Sequence, residues 1–235
     1  MYSEDSQDVA ARFAQRPDHT GTDALVFRAL EQRLRALDPR GKALDVGCGT
    51  GRSTRFLRQF GLNAVGLDVS EARLYEARRL DPDGHYQPYS RGQAFPFSSH
   101  QFQIVLATWV VLEIGSLEAM AQLLQEAARV LHPEGTLFVA TNTPEFYAHR
   151  WLTSAVNFPE NRPPLRSGQT VKVLLLPEQL QIEDYFWSDG DYRTVFSQVG
   201  LSIQKALYPT APPSEPGWQD ERRVAPYVIY ELSKG

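Results

Sequence analysis

The run Leu44-Asp45-Val46-Gly47-Cys48-Gly49-Thr50-Gly51-Arg52 constrains this chain more than any other feature. It lies between a short apolar stretch, Lys42 to Val46, and a helical pattern from Ser53 to Phe60 with Phe56, Leu57 and Phe60 inward. Glycine at alternate positions permits positive φ and close backbone approach, while the loop N–H groups and the helix start favour polar ligand groups. A strand, a ligand-cradling turn and a helix make one βα unit. The dinucleotide fingerprint G-x-G-x-x-G needs a glycine at position 52, where Arg52 stands, so an NAD-linked oxidoreductase is disfavoured. The phosphate-loop pattern fails too, because no Lys-Ser/Thr pair follows the glycines.

The same rhythm continues on both sides. Phe27, Leu30, Leu34 and Leu37 recur at helical spacing within Thr22 to Leu37, and Asp38-Pro39-Arg40-Gly41 stops them. Asn63 to Leu67 reads as a second strand ending at Asp68, followed by a helix over Glu71 to Leu80 with Ser70 as its N-cap. Gln103 to Thr108 is apolar enough for a strand buried on both faces. Leu117, Met120, Leu124, Ala127 and Leu131 mark a helix, which His132-Pro133-Glu134-Gly135 closes before a strand over Thr136 to Ala140. The alternation predicts an open, parallel α/β sheet with right-handed crossovers.

Beyond Asn142 the rhythm breaks into a proline- and aromatic-rich stretch. Thr170 to Leu176, Pro177-Glu178, then Leu180, Ile182 and Phe186 predict a hairpin with an irregular lead-in, inserted above the sheet. A helix over Asp191 to Val199 ends at Gly200, and Leu201 to Tyr208 and Ala225 to Leu232 give two final strands. Their connection, Pro209 to Arg223, reads as a mobile surface loop. The expected division is one domain over 1–235: cap helices in 1–38, a ligand-binding core in 40–142, a lid insertion in 143–188, and a helix and strands in 189–235.

Composition narrows the partners. With 24 Lys and Arg against 28 Asp and Glu the net charge is −4, the wrong sign for a chain that must neutralise many phosphates, so no nucleic-acid partner is expected. The single cysteine, Cys48, forms no intrachain disulfide, and no Cys/His cluster has metal-ligand spacing, so no metal is expected and the expected compartment is cytoplasm. Met-Tyr-Ser-Glu-Asp-Ser is acidic where a secretory signal is basic, and the longest uncharged run, Phe102 to Leu112, is too short for a membrane span. Oligomeric state is left open.

The motif run resembles the class I S-adenosylmethionine-dependent methyltransferases, whose first motif is an acid followed by G-x-G-x-G. The resemblance extends through Gly66-Leu67-Asp68-Val69-Ser70, Phe95-Pro96-Phe97 and Val130-Leu131-His132-Pro133-Glu134-Gly135, covering Arg40 to Asn142 in order. It implies a Rossmann-like sheet, mostly parallel with a terminal antiparallel strand, flanked by helices and carrying the lid insertion after the fifth strand. It implies S-adenosyl-L-methionine as cofactor, with S-adenosyl-L-homocysteine as product. Asp45 and Gly47 would lie near its methionyl end, with Cys48, Gly49 and Gly51 completing the loop. Asp68 would hold the ribose hydroxyls, Val69 would pack on adenine, and Thr108 would lie near the methionyl amine. Two positions depart: Arg91 stands where an acid often meets the adenine amine, leaving Gly92 or Gln93 to substitute, and Gln103 replaces the usual acid after Phe102.

The implied activity is in-line SN2 transfer of a methyl group to N or O of a small, planar or heterocyclic acceptor. A non-catalytic S-adenosylmethionine-binding module is the rival. Glu113, after the strand over 103–108, is either a general base or acceptor contact, or an exposed helix-start residue. Cys48 is either a reactive thiol or a small loop filler. His132 reads as a solvent-facing helix end, and His149 as an acceptor-side or surface group. Trp109, Asn142, Tyr147, Trp151, Tyr185 and Trp187 are expected at the acceptor, where Phe158 and Phe186 add to an aromatic lid or to the insert's own core. Tyr2 would close over the cofactor from the N-terminal segment. The run Ile182 to Trp187 with Asp191-Tyr192 is similar to that of bacterial biosynthetic methyltransferases, and loosely to N-methylating enzymes of azapteridine (toxoflavin-like) pathways.

Overall fold

The structure is a computed structural model that describes residues 6–235; Tyr2 lies outside them. Two helices lead in, α1 (Gln7–Ala14) and α2 (Ala24–Leu37). They are followed by β1 (Lys42–Val46), α3 (Arg52–Arg58), β2 (Asn63–Asp68), α4 (Glu71–Leu80), β3 (His85–Pro88) and β4 (Phe102–Thr108). Then come α5 (Leu117–Val130), β5 (Leu131–Asn142), β6 (Ser154–Ala155), β7 (Gln169–Leu175), β8 (Leu180–Phe186), α6 (Asp189–Gln198), β9 (Leu201–Leu207) and β10 (Tyr227–Lys234).

Seven strands form one sheet in the order β3-β2-β1-β4-β5-β10-β9. β10 runs antiparallel to both β5 and β9, while β1 to β5 pair in parallel. The Rossmann-like, mostly parallel sheet with its terminal antiparallel strand is therefore present. Because β1, β2, β4 and β5 run the same way, Val46, Asp68, Thr108 and Asn142 end at one edge of the sheet. Open α/β sheets bind ligands at that edge.

Alternate residues of the central strands feed two cores. Leu44, Val46, Val105, Ala107, Leu137 and Val139 pack with Met120 and Leu124 of α5 and with Val195 and Phe196 of α6. Ala43, Ala64, Ile104, Leu106, Phe138 and Ala140 pack with Val26, Phe27, Leu30 and Leu34 of α2 and with Phe56 and Leu57 of α3. Serine hydroxyls cap four of the helices, Ser6 on α1, Ser70 on α4, Ser116 on α5 and Ser188 on α6.

The insertion forms a second, antiparallel sheet in the order β6-β7-β8. Val171, Val173, Leu175 and Phe186 join it to the α2 side of the main sheet. This is the predicted hairpin, widened by a two-residue strand.

Three elements depart from the sequence reading. β3 gave no periodic signal, being four residues with only Tyr86 buried. The stop at His132-Pro133-Glu134-Gly135 is a bulge within β5: Phe102 pairs with Leu131 and Ile104 with Thr136, and the excursion lies between. The 209–223 connection, expected to be mobile, is tied down. Fully buried Glu221 accepts hydrogen bonds from Thr22 Oγ1 (2.9 Å), Leu152 N (2.6 Å) and Gln219 N (2.8 Å), and Arg28 holds Glu215 through both carboxylate oxygens. Among the described residues no helix is long and apolar enough to cross a membrane, and no group of three His, Cys, Asp or Glu could hold a metal ion.

Candidate functional site

The glycine loop turns at the sheet edge with Gly47, Gly49 and Gly51 all at positive φ (72°, 53° and 84°). Each conformation suits glycine, and the surroundings differ in what they demand. A Cβ on Gly47 would meet Val110 at 2.5 Å, and one on Gly51 would meet the Tyr86 hydroxyl at 2.6 Å. At Gly49 a Cβ would meet nothing within 4 Å, so that glycine borders open space. Asp45 lies beneath the loop, fully buried, with Oδ2 accepting from Ser53 Oγ and Thr54 Oγ1 at 2.6 Å each. Burial outweighs these bonds and pushes its pKa up to about 6. Asp45 and Gly51 therefore shape the loop from behind and do not line the cavity. Burial also pushes the Cys48 thiol well above its ordinary value, which favours loop filler over reactive thiol.

The cavity above the loop has two lobes that share Gly47, Arg73, Thr108, Trp109 and Glu113. The larger, about 400 Å³, is lined by Asp68, Val69, Tyr89, Arg91, Gly92, Gln93 and Phe95. Asp68 is 2% exposed; its Oδ2 accepts from Gly49 N (2.7 Å) and its Oδ1 from Ser70 N (2.9 Å). Burial raises its pKa, while Arg73 and these two N–H groups act the other way. Each carboxylate oxygen keeps a further lone pair for a ligand.

Glu113 stands where the lobes meet, on a short 3-10 turn, Val110–Glu113. Its Oε1 accepts from Arg73 Nη1 at 2.9 Å, and Arg91 Nη2 lies 3.6 Å from Oε2. It is an ion-paired carboxylate and not an exposed helix-start residue. Trp109, just before the turn, has φ 59°, a strained conformation for a bulky residue, held by its N–H on Ala140 O at 2.8 Å.

The smaller lobe, about 170 Å³, is lined by elements from the whole length of the chain. Phe13 and Arg16 come from the N-terminal segment, Arg52 from α3, Asn142 from β5, Val173, Leu175, Ile182 and Asp184 from the hairpin, and Tyr227 from β10. Asp23 receives Arg52 Nη2 (2.9 Å), Arg16 (3.2 Å) and the Tyr227 hydroxyl (2.8 Å). Its burial would raise the carboxyl, but the two arginines and the tyrosine hold it below the ordinary value. The Arg52 guanidinium lies over the rings of Phe27 (5.1 Å) and Trp109 (5.6 Å), and its Nη1 is buried with no hydrogen-bond partner among the described residues. Arg16 also reaches Glu178, in the β7–β8 turn, at 3.3 Å. The first helices, the loop and the hairpin are thus joined across this lobe.

Of the residues expected at the acceptor, Trp109 and Asn142 line the cavity. The others stand behind it. Tyr147 is buried and receives Asn142 Nδ2 at 3.1 Å. Trp151 stacks on Phe146 and donates to its carbonyl at 2.7 Å. Trp187 donates to Ile114 O at 3.1 Å, and Tyr185 packs on Gly115, so both brace the segment after Glu113. These aromatics pack into the cores of the main sheet, Tyr147 and Trp151 on the α2 side and Tyr185 and Trp187 on the α5 side. The hairpin meets the lobe with aliphatic residues and one acid, which the emphasis on aromatics missed; the alternation Val171-Val173-Leu175 and Leu180-Ile182-Asp184 was the available signal. Arg16 and Asp23 carried no local signal, because apart from each other their partners are far off in sequence, Arg52 and Tyr227 for Asp23 and Glu178 for Arg16. His132 accepts from Glu134 N through Nδ1 within the bulge, and His149 lies 3.5 Å from Asp220; neither lines the cavity.

With this geometry in hand, residues 44–139 match the methyltransferase domain family. A malonyl-[acyl-carrier protein] O-methyltransferase of Enterobacter lignolyticus is 33% identical over 146 residues, 58% of this chain and 54% of that one. A mitochondrial ubiquinone biosynthesis O-methyltransferase of Mus musculus is 34% identical over 107 residues, 43% of this chain and 28% of that one. The chain thus spans about half the length, or less, of these curated relatives. The CcbJ methyltransferase of Streptomyces caelestis superposes with a TM-score of 0.65 at 16% identity, covering 94% of this chain and 98% of that one. An S-adenosylmethionine-dependent methyltransferase of Clostridium acetobutylicum gives 0.62 at 13%, covering 95% and 94%. At such identities the superpositions speak to fold alone, and none of these names bears on azapteridine methylation. The glycine loop, the strand order and the family match agree: residues 44–139 are a methyltransferase domain, set on the sheet that the class I S-adenosylmethionine-dependent methyltransferases share.

Proposed function

We propose that the chain is a single methyltransferase domain that moves a methyl group from S-adenosylmethionine to N or O of a small, planar or heterocyclic metabolite. The observation that carries this reading is the two-lobed cavity whose lobes meet at Gly47, Arg73, Thr108, Trp109 and Glu113. One lobe suits a nucleoside and the other a second molecule, so the junction is where a methyl group would pass. The cofactor, when bound, supplies an electrophilic sulfonium methyl.

The residues fit such a ligand. Asp68 offers its remaining lone pairs to ribose hydroxyls, and Val69, Gly92 and Gln93 flank the base. The open space at Gly49 admits the ligand against the loop backbone, and the spare Arg52 N–H at the head of α3 suits the methionyl carboxylate. Thr108, at the end of β4 and in the cavity wall, would meet the methionyl amine. In-line transfer needs the acceptor atom about 3–3.5 Å from the methyl carbon, so positioning and exclusion of water carry most of the rate. Glu113 serves chiefly by holding Arg73 at the junction through their 2.9 Å pair.

Two of the relatives are named O-methyltransferases, which supports oxygen as one candidate acceptor atom. Calorimetric titration with S-adenosylmethionine and S-adenosylhomocysteine tests the cofactor reading. Mass spectrometry of reactions with a metabolite panel, reading S-adenosylhomocysteine formed, tests transfer. Tight cofactor binding with no turnover on any acceptor would favour the binding-module reading.

A further inference from the structure

The base end of the larger lobe has a donor and acceptor pattern of its own. Helix α5 runs along it, and Ala119, Gln122, Leu123 and Glu126, at helical spacing, turn one face to the cavity while Met120 and Leu124 enter the core behind. Arg91, Gly92 and Gln93 line the same end from the loop before Phe95. A Cβ on Gly92 would meet Gln122 Oε1 at 3.8 Å, so the carboxamide on α5 reaches the loop residues that flank the base.

The edge of adenine presents a 6-amine that donates beside ring nitrogens that accept, so a protein group that reads it needs an acceptor and a donor side by side. The charged groups at this end are held by other partners. Arg91 has no acceptor at all, and its Nη1 donates to Glu113 O at 3.3 Å. Glu126 takes Arg129 on both carboxylate oxygens (2.8 and 2.7 Å) and the Phe95 N–H on Oε2 at 2.7 Å. Glu113 is turned to Arg73 and Arg91 at the junction of the lobes. The Gln122 carboxamide carries an acceptor and donors together, and it makes no hydrogen bond among the described residues.

We propose that Gln122 reads the adenine edge of the cofactor, Oε1 accepting from the 6-amine and Nε2 donating to the neighbouring ring nitrogen. This rests on the cofactor reading above. A carboxamide, unlike a carboxylate, can turn over, presenting N–H to a 6-oxo group and oxygen to the ring N–H beside it. The site therefore accepts a 6-oxo purine in place of the 6-amino one. Gln122 is a specificity-determining residue and takes no part in methyl transfer.

Calorimetric titration with S-adenosylhomocysteine and with its 6-oxo analogue, S-inosylhomocysteine, tests this. Wild type is expected to bind the two within about tenfold of each other. Gln122→Leu should weaken S-adenosylhomocysteine about fivefold, the scale of a neutral hydrogen bond. Gln122→Glu should keep S-adenosylhomocysteine within about threefold and lose at least about tenfold for the 6-oxo analogue, a change in preference that a merely structural role would not produce. Rejection of the 6-oxo analogue by wild type beyond that tenfold would indicate a carboxylate reader and overturn the proposal. So would S-adenosylhomocysteine binding unchanged in folded Gln122→Leu, or a preference unmoved in Gln122→Glu. If wild type does not bind S-adenosylhomocysteine the cofactor reading itself falls, whereas binding that is indifferent to Gln122 overturns this proposal alone.

Discussion

At the scale of single residues, the site depends on carboxylates whose burial differs. Asp68 faces the larger lobe and also ties Gly49 to Ser70, so Asp68→Ala removes both a ligand contact and a loop brace. The expected loss in S-adenosylmethionine affinity is roughly 1.5–3 kcal/mol, the scale of a hydrogen bond to a charged group, read by calorimetry on folded protein. Asp45 makes a prediction about stability. Its folded pKa, near 6, lies above its unfolded value, so the folded state holds the proton more tightly. The group therefore contributes stability at low pH that is lost as pH rises from about 4 through 6, on the order of 3 kcal/mol. Urea unfolding of cofactor-free protein should show that decline reduced in Asp45→Asn; parallel curves would mean Asp45 is not the group responsible. For Glu113→Gln, measured with the acceptor found by mass spectrometry, kcat should fall less than about tenfold, whereas removing a general base costs about 10²-fold or more. A loss on the larger scale would make Glu113 the base.

At the scale of elements, the hairpin and the glycine loop divide the cavity between them. The hairpin contributes Val173, Leu175, Ile182 and Asp184 to the smaller lobe and nothing to the larger. Ile182→Trp, which adds bulk on a half-buried position, should fill that lobe: turnover is lost while the Kd for S-adenosylhomocysteine stays within a few-fold. Joint loss of both in folded protein would place the hairpin in the cofactor site. Gly49→Val should act in the opposite sense, because a β-branched residue at φ 53° is strained and its side chain would occupy the space left to the ligand. Cofactor binding should drop at least tenfold by calorimetry, and retained binding would mean that the loop does not face the ligand.

At the scale of the whole molecule, distant segments close the site. Glu221, in the long connection before β10, is bound by Thr22, Leu152 and Gln219, linking the first helices, the insertion and the C-terminal strands. Glu221→Ala leaves buried donors unsatisfied at about 1–3 kcal/mol each. A loss of stability of at least 2 kcal/mol is expected in denaturant unfolding, and a change below about 0.5 kcal/mol would show that the connection is not anchored through this residue. The Asp23 cluster has the same long reach, from Arg16 and Arg52 to Tyr227.

What the sequence determined by itself was the part governed by local rules. The glycine spacing, the apolar strands and the capping serines place the loop, β1, β2, β4, α4 and α5 within a residue or two, since each depends on neighbours in the chain. Asp68, Val69, Gly92, Gln93, Thr108 and Trp109, which line the cavity, were expected at the ligand from the resemblance to the methyltransferase family, carried by motifs in a fixed order along the chain. β3 was not legible, for it is a short edge strand whose pairing with β2 and not its own pattern makes it a strand. The alternation of the hairpin marks which of its faces is buried, and only the tertiary structure decided that this face meets the cavity, because a period of two says nothing of what covers it. The tertiary structure likewise committed Glu113 to Arg73 and joined Asp23 to Arg52 and Tyr227. Ion pairs and buried hydrogen bonds between residues far apart in sequence follow from how the layers pack, and no local period encodes them.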